Sequence, residues 1–411
     1  MKNKLLRFLL VLLASYTYNY TASIASYTLP LLVYSQGYGG FWVGVSGLLV
    51  NMLYVLVAPI AGRISDSIAR RKPLVASGSL TLLLAVASMS SKSLALLLLA
   101  SALMGVAGGL VGPNLTALAV DYGPLVGYEK PEKPIARLGF SGSLGWCTGL
   151  ITAGLLIKEA RQAIPLLLLA STASLASSLA VRDPPIVLER AITARPRPRP
   201  FIGVVERVKL AFTLLSNPPT LFRRLRTPFN TYLASIAMLF TGSSMFFTQL
   251  PVLLKSMGVS DKLVYWISSI HTIVSTIAYN ITPRLSITLS PWRLLELAVA
   301  VRAAAIPLTL ASWALGPLRV VPVVLVATGV TWAAISVSMS TIAVLLAEPG
   351  SEATALGQLN TAIGLGLSIG SIASGAIVAS LGLKANYLIA PLVVASSIPL
   401  LRASRRALKN P

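Results

Sequence analysis

Two stretches decide how this chain is built: Leu29-Pro-Leu-Leu-Val-Tyr-Ser-Gln-Gly37 and Leu250-Pro-Val-Leu-Leu-Lys-Ser-Met-Gly258. They are identical at five of nine positions and lie 221 residues apart. The same gap-free shift sets Ile60, Arg63 and Ser65 over Ile281, Arg284 and Ser286. It also sets Gly108 over Gly329, and Gly145, Gly149 and Gly154 over Gly366, Gly370 and Gly375. Any one match could arise by chance, but one offset that serves all of them marks an internal duplication.

Around these stretches the chain is apolar. Of its 411 residues, 55% are hydrophobic and 11% charged, and the mean hydropathy is +0.78. A soluble domain carries about 25% charged residues. Charge this sparse cannot cover a water-facing globule of this size, so lipid must cover much of the surface. The apolar stretches are long and continuous, unlike the alternating strands of a membrane barrel, so helices are the spanning element. Twelve segments emerge, roughly 8–34, 40–61, 74–91, 94–119, 138–157, 163–181, 229–254, 263–283, 293–315, 318–346, 354–380 and 385–401. Each is near the ~20 residues that cross a bilayer core. The expected fold class is an all-α membrane protein of two parallel six-helix repeats. The expected divisions are an N-terminal bundle over 1–182, a linker over 183–228 and a C-terminal bundle over 229–411. Met1 to Ala14, with Lys2, Lys4 and Arg7 before a leucine run, resembles a signal peptide. The apolar run continues through Tyr34 without a clean cleavage site, so a first transmembrane helix fits better.

The formal net charge is +22. With both termini in the cytoplasm, 26 of the 34 lysines and arginines fall on that side, 7 fall opposite and Arg302 lies inside a helix. This obeys the positive-inside rule and explains the basic charge by anionic headgroups, without nucleic acid. The linker contains Arg195-Pro-Arg-Pro-Arg-Pro200, which favours extended polyproline II. After it, Val204, Val208, Ala211, Phe212 and Leu215 recur at helical spacing, which predicts a short amphipathic helix on the membrane surface; a solvated linker is the alternative. One cysteine, Cys147, and one histidine, His271, exclude an internal disulfide and most metal sites, and no P-loop is present. No cofactor and no metal are expected.

The repeated glycines have a physical use. In lipid, small residues let helix backbones approach closely. Gly145, Gly149 and Gly154 would make a smooth face on the fifth helix, and Gly366, Gly370 and Gly375 the same face on the eleventh. Such a face serves tight packing or sliding.

Gly62-Arg-Ile-Ser-Asp66-Ser-Ile-Ala-Arg70-Arg71 follows the second segment. Here the chain resembles the major facilitator superfamily, whose loop between helices 2 and 3 reads G-x-x-x-D-[RK]-x-G-[RK]-[RK]. Gly62, Asp66, Arg70 and Arg71 match; Ser67 and Ala69 depart from the pattern. The copy at Pro283-Arg284-Leu-Ser-Ile287 keeps the arginine but lacks the acid. The resemblance covers nearly the whole chain. It implies a carrier of small solutes that works by alternating access. It also implies that Asp66 and the nearby arginines latch the cytoplasmic face shut, a role suited to carboxylate–guanidinium pairs. The alternative is that the arginines only anchor topology.

The resemblance places a solute site near mid-membrane, lined by helices 1, 4, 7 and 10. Tyr16, Asn19, Tyr20, Ser23 and Tyr27 share a face of the first helix, either toward a wet cavity or in a hydrogen-bonding seam between helices. Asn51, Asn114, Trp146, Gln249, His271 and Trp332 are further cavity candidates. No carboxylate lies at mid-membrane, where one usually marks function. His271, with an unperturbed pKa of about 6.5, is the candidate for a coupling proton, against a packing role. Arg302, deep in the ninth helix, either binds an anion or pairs with a neighbour.

The expected function is therefore a secondary transporter or facilitator, acting as a monomer on a small-molecule substrate. It either exports drug-like or amphipathic compounds or takes up sugars and metabolites. Two other classes compete. Gly139-Phe-Ser141-Gly142 resembles the serine motif of rhomboid proteases, with His271 as its only available partner. A channel would need a charged ring or a filter loop, and neither is visible.

Overall fold

The computed structural model describes residues 2–68, 70–128, 132–184, 227–347 and 352–408. Residues 185–226 of the linker, with the proline run and the expected amphipathic helix, lie outside the described residues. Helices α1 (Lys2–Ser35), α2 (Gly39–Ile68), α3 (Lys72–Met89), α4 (Leu94–Tyr122), α5 (Glu132–Leu156) and α6 (Ala163–Ala180) form the first group. The second begins with α7 (Pro228–Ser256), α8 (Asp261–Thr288) and α9 (Pro291–Leu308), which a 3-10 turn extends to Leu315. It continues with α10 (Pro317–Leu345) and the helical run Glu352–Ala407. Gly382 breaks that run at φ 81°, a conformation that disfavours a Cβ, and so makes two helices, α11 before it and α12 after it.

Nine spans among the described residues are long and apolar enough to cross a membrane, one of them holding both α11 and α12. With α5 and α8 the long helices among the described residues number twelve, as the sequence predicts. Glycine, serine and threonine thin out the hydropathy of α5 and α8, and these two pack on each other. Large apolar side chains face outward, with Leu169 71% and Leu392 68% exposed, as a lipid-covered surface requires.

The duplicated stretches are helix ends of matching geometry. Pro30 and Pro251 sit inside the last turns of α1 and α7. Gly37 (φ 86°) and Gly258 (φ 78°) stop them in the left-handed region. Tyr38 N donates to Val33 O (3.3 Å) and Val259 N to Leu254 O (3.0 Å), the long closing bond of a glycine-stopped helix. The shared Leu-Pro and Ser-x-Gly letters thus encode one helix end twice.

Both groups run in the same direction. Ser404 Oγ donates to Pro228 O (2.6 Å), tying the end of α12 to the start of α7. Ser141 Oγ donates to Leu12 O (2.7 Å), tying the start of α5 to the start of α1. At the other end Thr28, late in α1, meets Tyr265, early in α8. The molecule therefore has a terminal face, where α1 starts and α12 ends, and a distal face opposite.

Within each group, helices meet over small residues. Ser46 and Ser101 join α2 to α4 (2.7 Å), and Ser79 and Ser178 join α3 to α6 (2.7 Å). The two groups meet through α2 against α11 and α5 against α8.

The candidate transport cavity and its seal

A cavity of about 910 Å³ lies between the two groups. Ser15, Tyr18, Asn19, Ala22 and Ser26 line it from α1, and Tyr54 and Asn51 from α2. Trp146 faces it from α5, Ser243 and Phe247 from α7, His271 and Tyr279 from α8, and Trp332 from α10. Its wall continues toward the terminal face through Thr116, Ile135, Gly139 and Thr276. Apolar surface makes up most of that wall, with phenols, indoles and small hydroxyls set into it, and among the described residues that line it the one ionisable side chain besides the phenols is His271.

At the distal face the groups close on each other. Thr28 and Tyr265 share a buried hydrogen bond of 2.6 Å. Gln249 Nε2 donates to Gly40 O (3.0 Å). The Asp261 carboxylate, 5% exposed, accepts from Ala160 N (2.7 Å) and pairs with Lys255. Between α2 and α11 the backbones touch: a Cβ on Gly44 would stand 2.6 Å from Ser371 O and 2.7 Å from Gly375 Cα.

The glycine faces divide into two uses. A Cβ on Gly145 would collide with Tyr16 O, and one on Gly149 would lie 2.6 Å from Tyr20 O, so both seat α5 on α1. Gly366 and Gly370 meet Ala237 O and Thr241 O and seat α11 on α7 in the same way. The third glycine of each set works between the groups. Gly154 meets the Trp266 ring at 2.9 Å, and Gly375 meets Phe41 O at 2.8 Å.

Of the polar and aromatic residues predicted for the cavity, Asn19, Tyr27, Asn51, Trp146, His271 and Trp332 line it. Tyr16, Tyr20 and Ser23 do not; they form the seam between helices instead. Tyr16 Oη bonds Thr148 Oγ1 (2.9 Å), Gly145 packs under the backbone of Tyr16 and Tyr20, and Ser23 Oγ lies over Gly149. Their face points at α5, roughly a quarter turn around α1 from the cavity face. Asn114 is buried in α4 with Nδ2 on Leu110 O (2.8 Å). Gln249 belongs to the distal seal.

The loop motif is also redistributed. Arg71 Nε lies 3.0 Å from Asp121 Oδ2 at the end of α4, an ion pair within the first group. Asp183 Oδ1 accepts from Arg71 N (2.8 Å) and Lys72 N (3.1 Å), capping α3 from 112 residues away. Arg70 is exposed. A Cβ on Gly62 would meet nothing within 4 Å. The Asp66 side chain lies outside the described residues.

Ser141 and His271 do not form a catalytic pair. Ser141 Oγ is spent on Leu12 O in the α1–α5 seam, while His271 Nδ1 lies 3.2 Å from Thr328 Oγ1 between α8 and α10. Sequence reasoning missed Tyr18, Tyr54, Ser243, Phe247 and Tyr279 in the wall, and Asp261 and Asp183 at the two faces. For α1 a signal existed, since Ser15, Tyr18, Ala22 and Ser26 recur at helical spacing.

The sequence profile of the Major Facilitator Superfamily matches residues 8–370. No curated protein sequence matches the chain. Among solved structures, a mutant of the nucleoside transporter NupG is similar, with TM-score 0.73 and 15% identity over 97% of this chain and 99% of that one. A POT family transporter in complex with 5-aminolevulinic acid gives TM-score 0.68 and 14% identity, over 96% and 94% of the two chains. The human organic anion transporter MFSD10 gives TM-score 0.60 and 19% identity, over 96% and 98%.

Proposed function

The chain belongs to the major facilitator superfamily, and from that premise we propose that it carries an amphipathic organic solute by alternating access, in a state here open toward the cytoplasm. Membership makes it a multi-pass membrane transporter of small solutes and not an enzyme. One observation carries it: the cavity is sealed at the distal face by cross-group contacts and walled onward to the terminal face. The excess of lysine and arginine near the terminal face supports reading that face as the cytoplasmic one.

Transport then requires the distal seal to part. Thr28–Tyr265, Ala160–Asp261 and Gln249–Gly40 are few and polar, so water can replace each bond as it breaks. The terminal face must close in turn. Arg70 is exposed and the space beside Gly62 is open, which suits a surface onto which the second group docks. Arg71, held by Asp121, braces α3 on α4 while Asp66 and Arg70 supply the latch. The aromatic wall favours solutes with an apolar body.

Uptake into proteoliposomes of a metabolite and drug panel, with and without a pH gradient, tests the reading. Saturable, counterflow-competent uptake is expected, and conductance of channel size would overturn it. Asp66→Asn should slow transport while leaving binding intact; equal loss of both would remove the latch role.

A further inference from the structure

Among the described residues Arg302 is the largest side chain that is wholly buried, at 0% exposure. It lies deep in α9, away from both faces. Its partners are uncharged. Nη2 donates to Thr328 O (2.9 Å), Nη1 to Ser243 Oγ (3.3 Å) and Nε to Thr331 Oγ1 (3.3 Å). Cζ stands 5.6 Å from the centre of the Trp332 ring. A guanidinium stays charged in proteins, and in a bilayer interior it is kept only at considerable cost.

Among the described residues no carboxylate answers that charge. Asp121, Asp261 and Glu296 are committed to Arg71, Lys255 and the Arg402–Arg405 pair. Asp183 caps α3. In the sequence the remaining acids lie at or beyond the ends of the apolar segments.

Two of the groups that hold Arg302 are themselves cavity wall: Ser243 and Trp332. Ser243 Oγ accepts from the guanidinium, so its single O–H is left to donate, and no acceptor for it is present among the described residues. The positive charge therefore reaches the cavity through one hydroxyl.

We propose that the solute is an organic anion, an oxyanion head on an aromatic or apolar body, whose head sits against Ser243 and is drawn there by Arg302. Carboxylate, sulfonate and phosphate monoester heads share this chemistry. Arg302 acts as a specificity-determining residue behind the wall, since it does not touch the cavity itself. The inference rests on the cavity being the transport site and deepens that reading.

The test uses the full chain in lipid nanodiscs and matched aromatic probes: 2-naphthoate against 2-naphthamide, with 2-naphthalenesulfonate and 2-naphthyl phosphate as the other heads. Binding is read by quenching of tryptophan fluorescence, because Trp146 and Trp332 line the cavity. At least one anionic probe should bind tenfold or more tighter than the amide. Arg302→Met, which keeps an apolar body in the space, should bring the ratio near one. Equal or tighter binding of the amide by the unmodified protein overturns the proposal, as does absence of saturable binding by every anionic probe. A preference that survives in well-folded Arg302→Met overturns it too. Should that variant misfold, Ser243→Ala keeps the guanidinium and removes the relay; the preference must fall several-fold, and Ser243→Thr must restore it. Binding is measured without transport. An anion preference with no uptake into proteoliposomes would therefore sink the carrier reading and leave this one standing.

Discussion

Gly44→Ala should drive the protein toward the state open at the distal face. The methyl group would enter a contact made of backbone on both sides, with Ser371 O at 2.6 Å, Gly375 Cα at 2.7 Å and Gly375 N at 2.9 Å. No side chain can swing away to make room. Ordinary contact begins at 3.4 Å, so α2 and α11 must part locally by roughly 0.8 Å. Overpacking of this kind costs about 1–3 kcal/mol. The cost falls only on the distally sealed state, because the contact is absent once the groups separate there. The equilibrium should therefore move by about 5- to 150-fold toward the distally open state. The assay is a spin-label distance between Lys92→Cys and Arg319→Cys in a Cys147→Ser background. Lys92, in the distal loop before α4, and Arg319, in the first turn of α10, are exposed at the distal face on opposite groups. The long-distance population should grow in Gly44→Ala. An unchanged distribution in a variant that melts like its parent would mean that this contact does not hold the seal, and the reasoning would fail.

Asp261→Asn should open the same face by another route. It keeps the shape but removes the charge that Lys255 and Ala160 N share, a loss of about 1.5–3 kcal/mol for charge-assisted bonds, read by the same distance. Gly370→Ala strikes within one group, where the added methyl meets Thr241 O; we expect a loss of about 1–3 kcal/mol seen as a lower Tm, with the distance distribution unchanged. Asp183→Ala removes the acceptor for two backbone N–H groups at the start of α3. It should cost about 0.5–2 kcal/mol in thermal stability while folded protein transports normally; a normal melting curve would show that water caps the helix equally well.

The distal seal explains why two sets of glycines recur at one offset but serve two purposes. Gly145 and Gly149, like Gly366 and Gly370, fix helices inside a group, where no motion is required. Gly154 and Gly375 sit where the groups touch, so their smoothness belongs to the surface that opens. Alanine at the first kind should lower stability, and at the second kind should shift the conformational balance.

The sequence by itself determined the membrane, the helices and their duplication. Spanning segments must be continuously apolar because lipid offers the backbone no hydrogen bonds, and that demand is written locally in α1 to α4 as plain composition. The Leu-Pro and Ser-x-Gly letters of the repeat were likewise local, since a helix end is closed by its own last turn. Which face of a helix meets solute and which meets its neighbour was decided only by packing. Tyr16, Tyr20 and Tyr27 look alike along α1, yet the first two seat α5 and the third lines the cavity, because the position of α5 around α1 comes from contacts more than a hundred residues distant. Asp183 on α3 and Asp261 on Ala160 depend on the same kind of distant pairing. So does Arg302: a lone basic residue in a helix has no readable purpose until the fold sets its uncharged partners around it and one of them at the cavity wall.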